Sequence, residues 1–291
     1  MRGNPESHQL IAAENLQAVL ELLAREPGAW TPIAGGTEIM VAHSAGKLAA
    51  KRLISLWGLP ELRFIRVSPE TIAIGAGATF ADIRRIAAIA AHLPLLAQAA
   101  GWIGSIANQS RATLGGNLVN GSPAADSSPA LLVYDAEVEA ISVRGTRRIS
   151  YSLFHTGYKQ NVLAPDELLS AVHIPLRFAG HKQYIRKVGT RRAMAISKVA
   201  FAGTAQLESK TISSIRIAAA SLAPFPTRLY RTEAALLNQP ITPETIQAAR
   251  ASLLVEAAPI DDIRSTADYR ARVAANLLEE FLTSLSGSGP A

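Results

Sequence analysis

Residues 111–132 read RATLGGNLVNGSPAADSSPALL, and this stretch constrains the fold more than any other part of the chain. It contains two adjacent glycines, two asparagines, several small hydroxylated residues and one acid, where a helix or strand would ordinarily continue. Adjacent glycines leave the backbone uncovered by side chains, so that another group can approach it closely. The segment AGGTE at residues 34–38 has the same character.

Each glycine pair lies next to a threonine, Thr37 or Thr113, and consecutive backbone N–H groups beside a hydroxyl suit phosphate oxygens. Neither segment is a Walker loop, because the chain has no GxxxxGK[ST]. Gly75-Ala76-Gly77 also lacks the third glycine of a dinucleotide fingerprint. Taken alone, each pair is better explained as a tight turn. Together they predict one extended cofactor whose diphosphate is contacted by both loops and whose sugar hydroxyls meet the following polar residues, Asn117, Asn120, Ser122 and Asp126.

Composition limits the alternatives. A length of 291 residues with 48% apolar side chains predicts two domains with ample core. The absence of cysteine excludes disulfides and the thiolate ligands of iron–sulfur clusters and of many zinc sites. The six histidines are scattered, without helical metal-ligand spacing or an HExxH sequence, so we expect no metal site on this chain.

Charge and hydropathy favour a cytoplasmic protein with no nucleic-acid or membrane partner. The net charge of +6 comes largely from small basic groups such as Arg147-Arg148 and Arg191-Arg192, without the interleaved aromatic residues of a single-strand-binding platform. A basic face for an anionic cofactor or a partner subunit explains them equally well. No apolar run approaches the roughly 20 residues that span a bilayer, and the amino terminus lacks the features of a signal peptide.

Periodicity predicts an α+β fold for the first part of the chain. Residues 14–26 form an amphipathic helix, and residues 63–80 form a hairpin whose turn is Ser68-Pro69-Glu70. One helix is expected over residues 79–93 and another over 95–107. Strands are expected at AEVEAIS and at LLSAVHIPL, after which residues 177–182 mark a domain boundary.

The second part is predicted as a three-stranded antiparallel sheet followed by helices. Two of its strands are SKVAFAGTAQLES and TISSIRIAAASLAPFPTR, the latter stopped by Pro224 and Pro226. One helix begins at Thr242-Pro243, and a later one carries Tyr269 and Phe281 on one face. The predicted domains are therefore residues 1–177 and 183–286, with a disordered tail at 287–291.

Four segments carry a family resemblance: IAGGTEIM, the long stretch SIANQSRATLGGNLVNGSPAADSSPALLVYDAEVE, FHTGYK and DELLSAVHIPL. Together they resemble the FAD-binding medium subunit of the molybdenum hydroxylases, the family of xanthine dehydrogenase and carbon monoxide dehydrogenase. The resemblance covers nearly the whole chain. It implies a two-subdomain FAD-binding domain of the PCMH, or vanillyl-alcohol-oxidase-like, type, followed by a carboxy-terminal domain of the carbon monoxide dehydrogenase flavoprotein type.

The resemblance also implies which residues bind FAD. The first loop would wrap the diphosphate, the second loop would supply further diphosphate contacts, and Asp126 would bind a cofactor hydroxyl. Leu169 would pack the flavin and Lys187 would lie near the isoalloxazine. Many relatives have aspartate where this chain has Glu38, which keeps the charge and lengthens the arm. The full implied set is Ile33, Ala34, Gly35, Gly36, Thr37, Glu38, Ile39, Ile103, Thr113, Gly115, Gly116, Asn117, Asp126, Leu169 and Lys187.

As a function, the resemblance implies a flavin subunit of an oxidoreductase. Because this chain has no cluster ligands, its electrons would come from a small partner subunit with [2Fe–2S] clusters. A large partner subunit with a molybdenum–pterin cofactor would oxidise a purine, N-heterocycle or aldehyde. FAD would pass the electrons to NAD or dioxygen within a heterotrimer or its dimer, and no catalytic side chain is expected here. The alternatives are a stand-alone FAD oxidase of the vanillyl-alcohol-oxidase type and a non-enzymatic nucleotide-binding or nucleic-acid-binding module.

Overall fold

The structure is a computed structural model that describes residues 7–286, so the predicted disordered tail lies outside the described residues. Its strands are β1 (Gln9–Ala12), β2 (Thr31–Ile33), β3 (Arg52–Ser55), β4 (Ile65–Val67), β5 (Thr71–Gly75), β6 (Glu137–Ser142), β7 (Gly145–Ser150), β8 (His155–Gly157), β9 (Gln160–Asn161), β10 (Leu168–Pro175), β11 (Lys182–Val188), β12 (Val199–Glu208), β13 (Thr211–Ala220) and β14 (Thr227–Arg228). Its α-helices are α1 (Leu16–Arg25), α2 (Ile39–Ser44), α3 (Phe80–Arg85), α4 (Ala87–His92), α5 (Pro94–Trp102), α6 (Ile106–Gln109), α7 (Leu114–Val119), α8 (Ser128–Val133), α9 (Tyr230–Leu236), α10 (Pro243–Glu256) and α11 (Ala267–Leu285).

The chain begins with a small parallel sheet in the order β1-β3-β2, covered by α1. Asn15 caps α1 by accepting a hydrogen bond from the N–H of Ala18, and the helix ends before Pro27-Gly28. Val19 and Leu23 are buried on its inner face. The predicted helix over residues 14–26 is confirmed.

A five-stranded antiparallel sheet follows, in the order β4-β5-β10-β6-β7. The predicted hairpin is present as β4 and β5. The predicted helix over residues 79–93 is wrong in one respect, because it is divided into α3 and α4 at Ile86, whose backbone is extended. The break at Ile86 lets α3 bury Ile83 and α4 bury Ile89 in the same core. Ile86 is β-branched, and β-branched residues adopt the extended conformation readily. The helix expected over 95–107 ends earlier, because Gly104 takes the left-handed conformation (φ +50°) before α6 begins.

The second domain contains a four-stranded antiparallel sheet in the order β11-β12-β13-β14, so the predicted three-stranded sheet is wrong by one strand. The prediction that Pro224 and Pro226 stop β13 is wrong, because the strand already ends at Ala220, before Ser221 takes the left-handed conformation (φ +68°). The chain then turns back and β14 pairs with Ala218 and Ala219. A strand of two residues is too short to show an alternating pattern. The helices α10 and α11 lie where they were predicted, and Thr242 caps α10.

The helix α8 joins the two domains, and all six of its residues are buried. It packs against β12 and β13, and its apolar residues share one core with Ala202 and Ala218 of those strands. The small side chains of Ala202 and Ala218 let α8 approach the second-domain sheet closely. Since α8 is fixed in this way, the segment that leads into it is held between the two domains. No helix among the described residues is long and apolar enough to cross a membrane.

Candidate functional site

A groove runs across the first domain and into the cleft between the two domains, and it consists of two adjoining pockets. The apolar pocket has a volume of about 400 Å³ and is walled by apolar side chains that include Leu23, Leu56 and Leu169. The polar pocket, of about 860 Å³, is lined by residues of both domains. Both volumes lie in the range of about 300–1,000 Å³ that is usual for small-molecule sites. Three residues, Thr37, Glu38 and Asn120, line both pockets and mark their junction.

The first glycine loop, residues 33–39, connects β2 to α2 and forms one side of this junction. Within residues 7–286, none of the six backbone N–H groups from Ala34 to Ile39 donates a hydrogen bond to another protein atom. An array of successive free N–H groups is an anion-binding arrangement, because their partial positive charges add. The groove therefore has its strongest concentration of free backbone donors where the two pockets meet.

The second glycine loop, residues 113–117, lies opposite and differs in its hydrogen bonding. The N–H groups of Leu114 and Gly115 donate to the carbonyls of Ala78 and Ala76, both at 2.9 Å. Thr113 then satisfies the next two N–H groups, since its hydroxyl accepts from Gly116 at 3.1 Å and its carbonyl accepts from Asn117 at 3.0 Å. The prediction that this loop also presents consecutive free N–H groups is wrong, because its amides anchor α7 to the end of β5.

The four glycines of the two loops have different roles. A Cβ added at Gly35 would lie 1.7 Å from the carbonyl oxygen of Arg111, and one at Gly115 would lie 2.5 Å from the Cβ of Ala76. These two glycines allow protein segments to pack against each other. Gly36 has a φ of +75°, which disfavours a side chain. At Gly116 an added Cβ would meet only the hydroxyl of Thr113, at 3.0 Å, so this backbone faces the groove.

Asp126 lies in the polar pocket and binds two groups of the second domain. Its carboxylate accepts hydrogen bonds from the ammonium of Lys187 and the hydroxyl of Ser197, each at 2.5 Å. Burial raises the pKa of Asp126, while Lys187 and Ser197 oppose that effect by favouring the carboxylate. A carboxylate has about four acceptor positions, so Asp126 can accept from a ligand hydroxyl as well.

The remaining predicted residues are divided between the pockets. Leu169 lies in the apolar pocket with the first glycine loop, whereas Ile103 lies in the polar pocket, so the two do not share a pocket. Ile33, Thr113 and Lys187 line neither pocket. Lys187 lies behind Asp126, where its ammonium also donates to the carbonyl of Trp102 at 3.2 Å.

Several residues that line the polar pocket or support Asp126 were missed from the sequence. Ser197 lacks any local signal, because its role depends on the packing of the second domain against Asp126. Tyr158 and Lys159 form the turn between β8 and β9 and reach the polar pocket. Arg270 is buried on α11, donates to Lys198 and Asp262, and has no partner for its Nε in the described part of the chain. A helical pattern alone does not distinguish such an arginine from a solvated one.

The fold and the groove define a class of protein in which two regions enclose an elongated cleft, and the free backbone amides along that cleft suit an anionic ligand. The sequence model of the FAD binding domain in molybdopterin dehydrogenase matches residues 6–177. The model of the carbon monoxide dehydrogenase flavoprotein C-terminal domain matches residues 184–285. The chain belongs to the family of FAD-binding medium subunits of the molybdenum hydroxylases, so the resemblance drawn from the sequence is confirmed.

Individual relatives agree with this assignment. The xanthine dehydrogenase FAD-binding subunit of Escherichia coli O157:H7 is 31% identical over 273 residues, which cover 93% of each chain. The carbon monoxide dehydrogenase medium chain of Hydrogenophaga pseudoflava is 28% identical and covers 86% of this chain and 87% of its own length. A solved carbon monoxide dehydrogenase structure from H. pseudoflava superposes with a TM-score of 0.92 at 26% identity, covering 99% of this chain and 100% of that one.

Proposed function

We propose that the groove binds FAD with its diphosphate at the junction of the two pockets. The observation that carries this proposal is the run of six free N–H groups from Ala34 to Ile39 at that junction. Gly116 contributes bare backbone on the opposite side, so a diphosphate can pass between the loops without meeting a side chain there. The family membership supports FAD over other dinucleotides.

The chemistry of the two pockets supports one direction for the cofactor. Asn117, Ser122 and Asp126 supply hydrogen-bond partners for a chain of hydroxyls in the polar pocket, as the ribityl group requires. The apolar pocket, walled by Leu56 and Leu169, suits the adenine ring. In this arrangement Ile103 lies on the flavin side of the groove and Lys187 acts through Asp126. Leu169 lies on the adenosine side, so this proposal differs from the flavin contact that the resemblance implied for it. The two-loop groove is consistent with the PCMH type of FAD domain.

We further propose that this chain is the electron outlet of a larger complex. When bound, FAD accepts electrons and passes them to an acceptor such as NAD or dioxygen, which is cofactor chemistry that needs no general base from the protein. This chain's residues hold the cofactor, orient it and set its exposure to water. Asp126, Lys187 and Ser197 fix the second domain against the polar pocket and so define its depth.

The partners follow from the same family. Relatives carry the names medium chain, medium subunit and FAD-binding subunit. We infer a heterotrimer, or its dimer, with a small iron–sulfur subunit that delivers electrons from [2Fe–2S] clusters and a large molybdenum–pterin subunit. The names xanthine dehydrogenase and nicotinate dehydrogenase favour a purine or another N-heterocycle as the substrate oxidised on that large subunit, and the name glyceraldehyde dehydrogenase supports an aldehyde.

The first test is an absorbance spectrum of the purified chain, followed by mass spectrometry of the compound that acid releases. We expect flavin bands and the mass of FAD. The spectrum is also recorded for the chain co-expressed with the iron–sulfur subunit, so that a site completed by its partner is detected. A colourless protein that takes up no FAD in either form contradicts the proposal and favours a module without a flavin.

A further inference from the structure

The turn between β8 and β9 brings a lysine to the point where the two pockets meet. Lys159 lines the polar pocket, and its ammonium lies 3.0 Å from the carboxylate of Glu38 in the first glycine loop. The two residues are 121 positions apart in the sequence, so the ion pair bridges two separate walls of the groove. Glu38 lines both pockets, which places the pair beside the free N–H groups of the loop.

The backbone of Lys159 is held firmly. Its φ of +53° is in the left-handed region, and Gly121 packs so closely that an added Cβ would lie 3.1 Å from the Cα of Lys159. The side chain is far freer, because its exposed fraction is 42% and that of Glu38 is 59%. By contrast, the side chains of Lys187 and Asp126 in the same pocket are only 7% and 9% exposed. An ion pair as exposed as Lys159–Glu38 contributes little to stability, so its partners exchange at small cost.

The other charged residues around the groove pair with each other away from the junction of the two pockets. Arg270 and Arg264 both bind Asp262, and Glu167 binds Arg147. Among the described residues that line the groove, Lys159 is therefore the cation that lies at the junction, and its exposure leaves it free to change partner. A diphosphate offers more charge and more acceptor oxygens than one carboxylate, and a lysine ammonium binds phosphate readily as a compact point charge.

We propose that Lys159 binds the diphosphate of the cofactor, and that the diphosphate competes with Glu38 for its ammonium. The proposal rests on the function proposed above and extends it to a residue outside the two glycine loops. The carboxylate of Glu38 then acts against binding, because it repels the diphosphate and holds Lys159, whereas the backbone N–H of Glu38 remains one of the donors to the diphosphate. The tip of the β8–β9 turn is thus a third contact point for the phosphates, in addition to the first glycine loop and the bare backbone at Gly116.

The test measures the dissociation constant of FAD by quenching of flavin fluorescence, using chain from which flavin has been removed, alone and with its co-expressed iron–sulfur partner. Lys159→Gln is expected to raise the constant by about tenfold, as loss of one charge-assisted hydrogen bond does. Glu38→Gln is expected to lower it by about threefold, by removing a neighbouring like charge. Lys210→Gln, which removes one charge from the turn at the far end of β12, is the control and should leave the constant unchanged.

The double variant Glu38→Gln/Lys159→Gln separates direct binding from simple neutralisation of Glu38. If Lys159 contacts the diphosphate, Lys159→Gln weakens binding by about tenfold in the Glu38→Gln background as well. If that effect disappears in this background, Lys159 acts only through Glu38 and the inference is wrong. The inference is also wrong if Lys159→Gln has the same dissociation constant for FAD as the control Lys210→Gln. If the wild-type chain binds no FAD, either alone or with its iron–sulfur partner, the proposed function is wrong and this inference with it.

Discussion

The two glycine loops look alike in the sequence and differ in the structure. Both place a Gly-Gly pair beside a threonine, and both line the groove. In the first loop the amides from Ala34 to Ile39 have no acceptor in residues 7–286, whereas in the second loop those from Leu114 to Asn117 all have one. One loop is therefore arranged to bind an anion, and the other is arranged to hold a helix in place and to expose bare backbone at one glycine.

The comparison teaches that a glycine in a phosphate site can be needed for close packing or for a backbone conformation, as well as for contact with the ligand. Gly35 and Gly115 let segments of the protein pack against each other, and Gly36 accommodates a left-handed turn. Gly116 keeps the groove open. Substitutions at these four positions should consequently separate effects on folding from effects on FAD binding.

The largest expected effect is that of Gly35→Ala. Its Cβ would lie 1.7 Å from the carbonyl oxygen of Arg111, a contact that only backbone movement relieves. We expect the free energy of unfolding to fall by about 3 kcal/mol or more, the upper range for overpacked sites. Urea denaturation measures it, with Gly180→Ala as control because Gly180 has no atom within 4 Å of an added Cβ. Equal stability of the two variants would show that the loops are not packed as described.

Gly116→Val should separate binding from folding. An added Cβ would meet only the hydroxyl of Thr113, so we expect the chain to fold. The valine methyl groups would block the groove, and we expect FAD affinity to fall by about 100-fold, or 2.7 kcal/mol. Fluorescence titration with FAD measures the affinity and circular dichroism checks the fold. Gly180→Val is the matched control on exposed chain. Stoichiometric FAD in Gly116→Val would rule out a diphosphate path between the two loops.

Thr113→Ala tests the structural role of the second loop. The hydroxyl caps α7, so its loss should lower the free energy of unfolding by about 1 kcal/mol. Thr242→Ala removes an equivalent cap from α10, away from the groove, and should cost about the same. We expect FAD affinity of both variants to stay within about threefold of wild type, since a cap affects the helix more than the groove. A selective loss of affinity in Thr113→Ala would make that hydroxyl a direct FAD ligand.

The smallest effect concerns the apolar pocket. A hydrogen bond from Arg147, together with one from the N–H of Ala164, lowers the pKa of Glu167 from 4.5 to about 2. Because the folded pKa is below the unfolded one, this stabilisation is complete above pH 4.5 and is lost as the pH falls towards 2. Glu167→Gln should be less stable than wild type by about 0.5 kcal/mol at pH 6, and the difference should shrink at pH 3. Urea denaturation at both values checks it, and a difference independent of pH would contradict the assigned cause.

Local patterns in the sequence were enough for several elements of the fold. Helix α1 and the β4–β5 hairpin follow from hydrophobic periodicity and turn residues, and α10 follows from Thr242-Pro243. The break at Ile86 and the two-residue strand β14 could not be predicted, because each depends on contacts made elsewhere in the fold.

The features of the candidate site also fall into those that the sequence could predict and those that it could not. The glycine pairs and Asp126 could be found from residue type alone, since bare backbone and a lone acid are local features. The sequence could not show which amides are free, because two of the four acceptors of the second loop are the carbonyls of Ala76 and Ala78, which lie on a separate segment. Ser197 contacts Asp126 through the packing of the second domain, and Lys159 reaches the groove through a hairpin turn. No spacing in the sequence encodes either arrangement.

The most direct test of this account is hydrogen–deuterium exchange of the chain with and without saturating FAD, followed by mass spectrometry. The account predicts that FAD slows exchange in the peptide covering residues 34–39 by about tenfold or more, because free amides gain phosphate acceptors. Peptides covering residues 114–117 should exchange slowly in both samples, since their amides are already bonded. Unchanged exchange at residues 34–39, with new protection confined to 114–117, would contradict it.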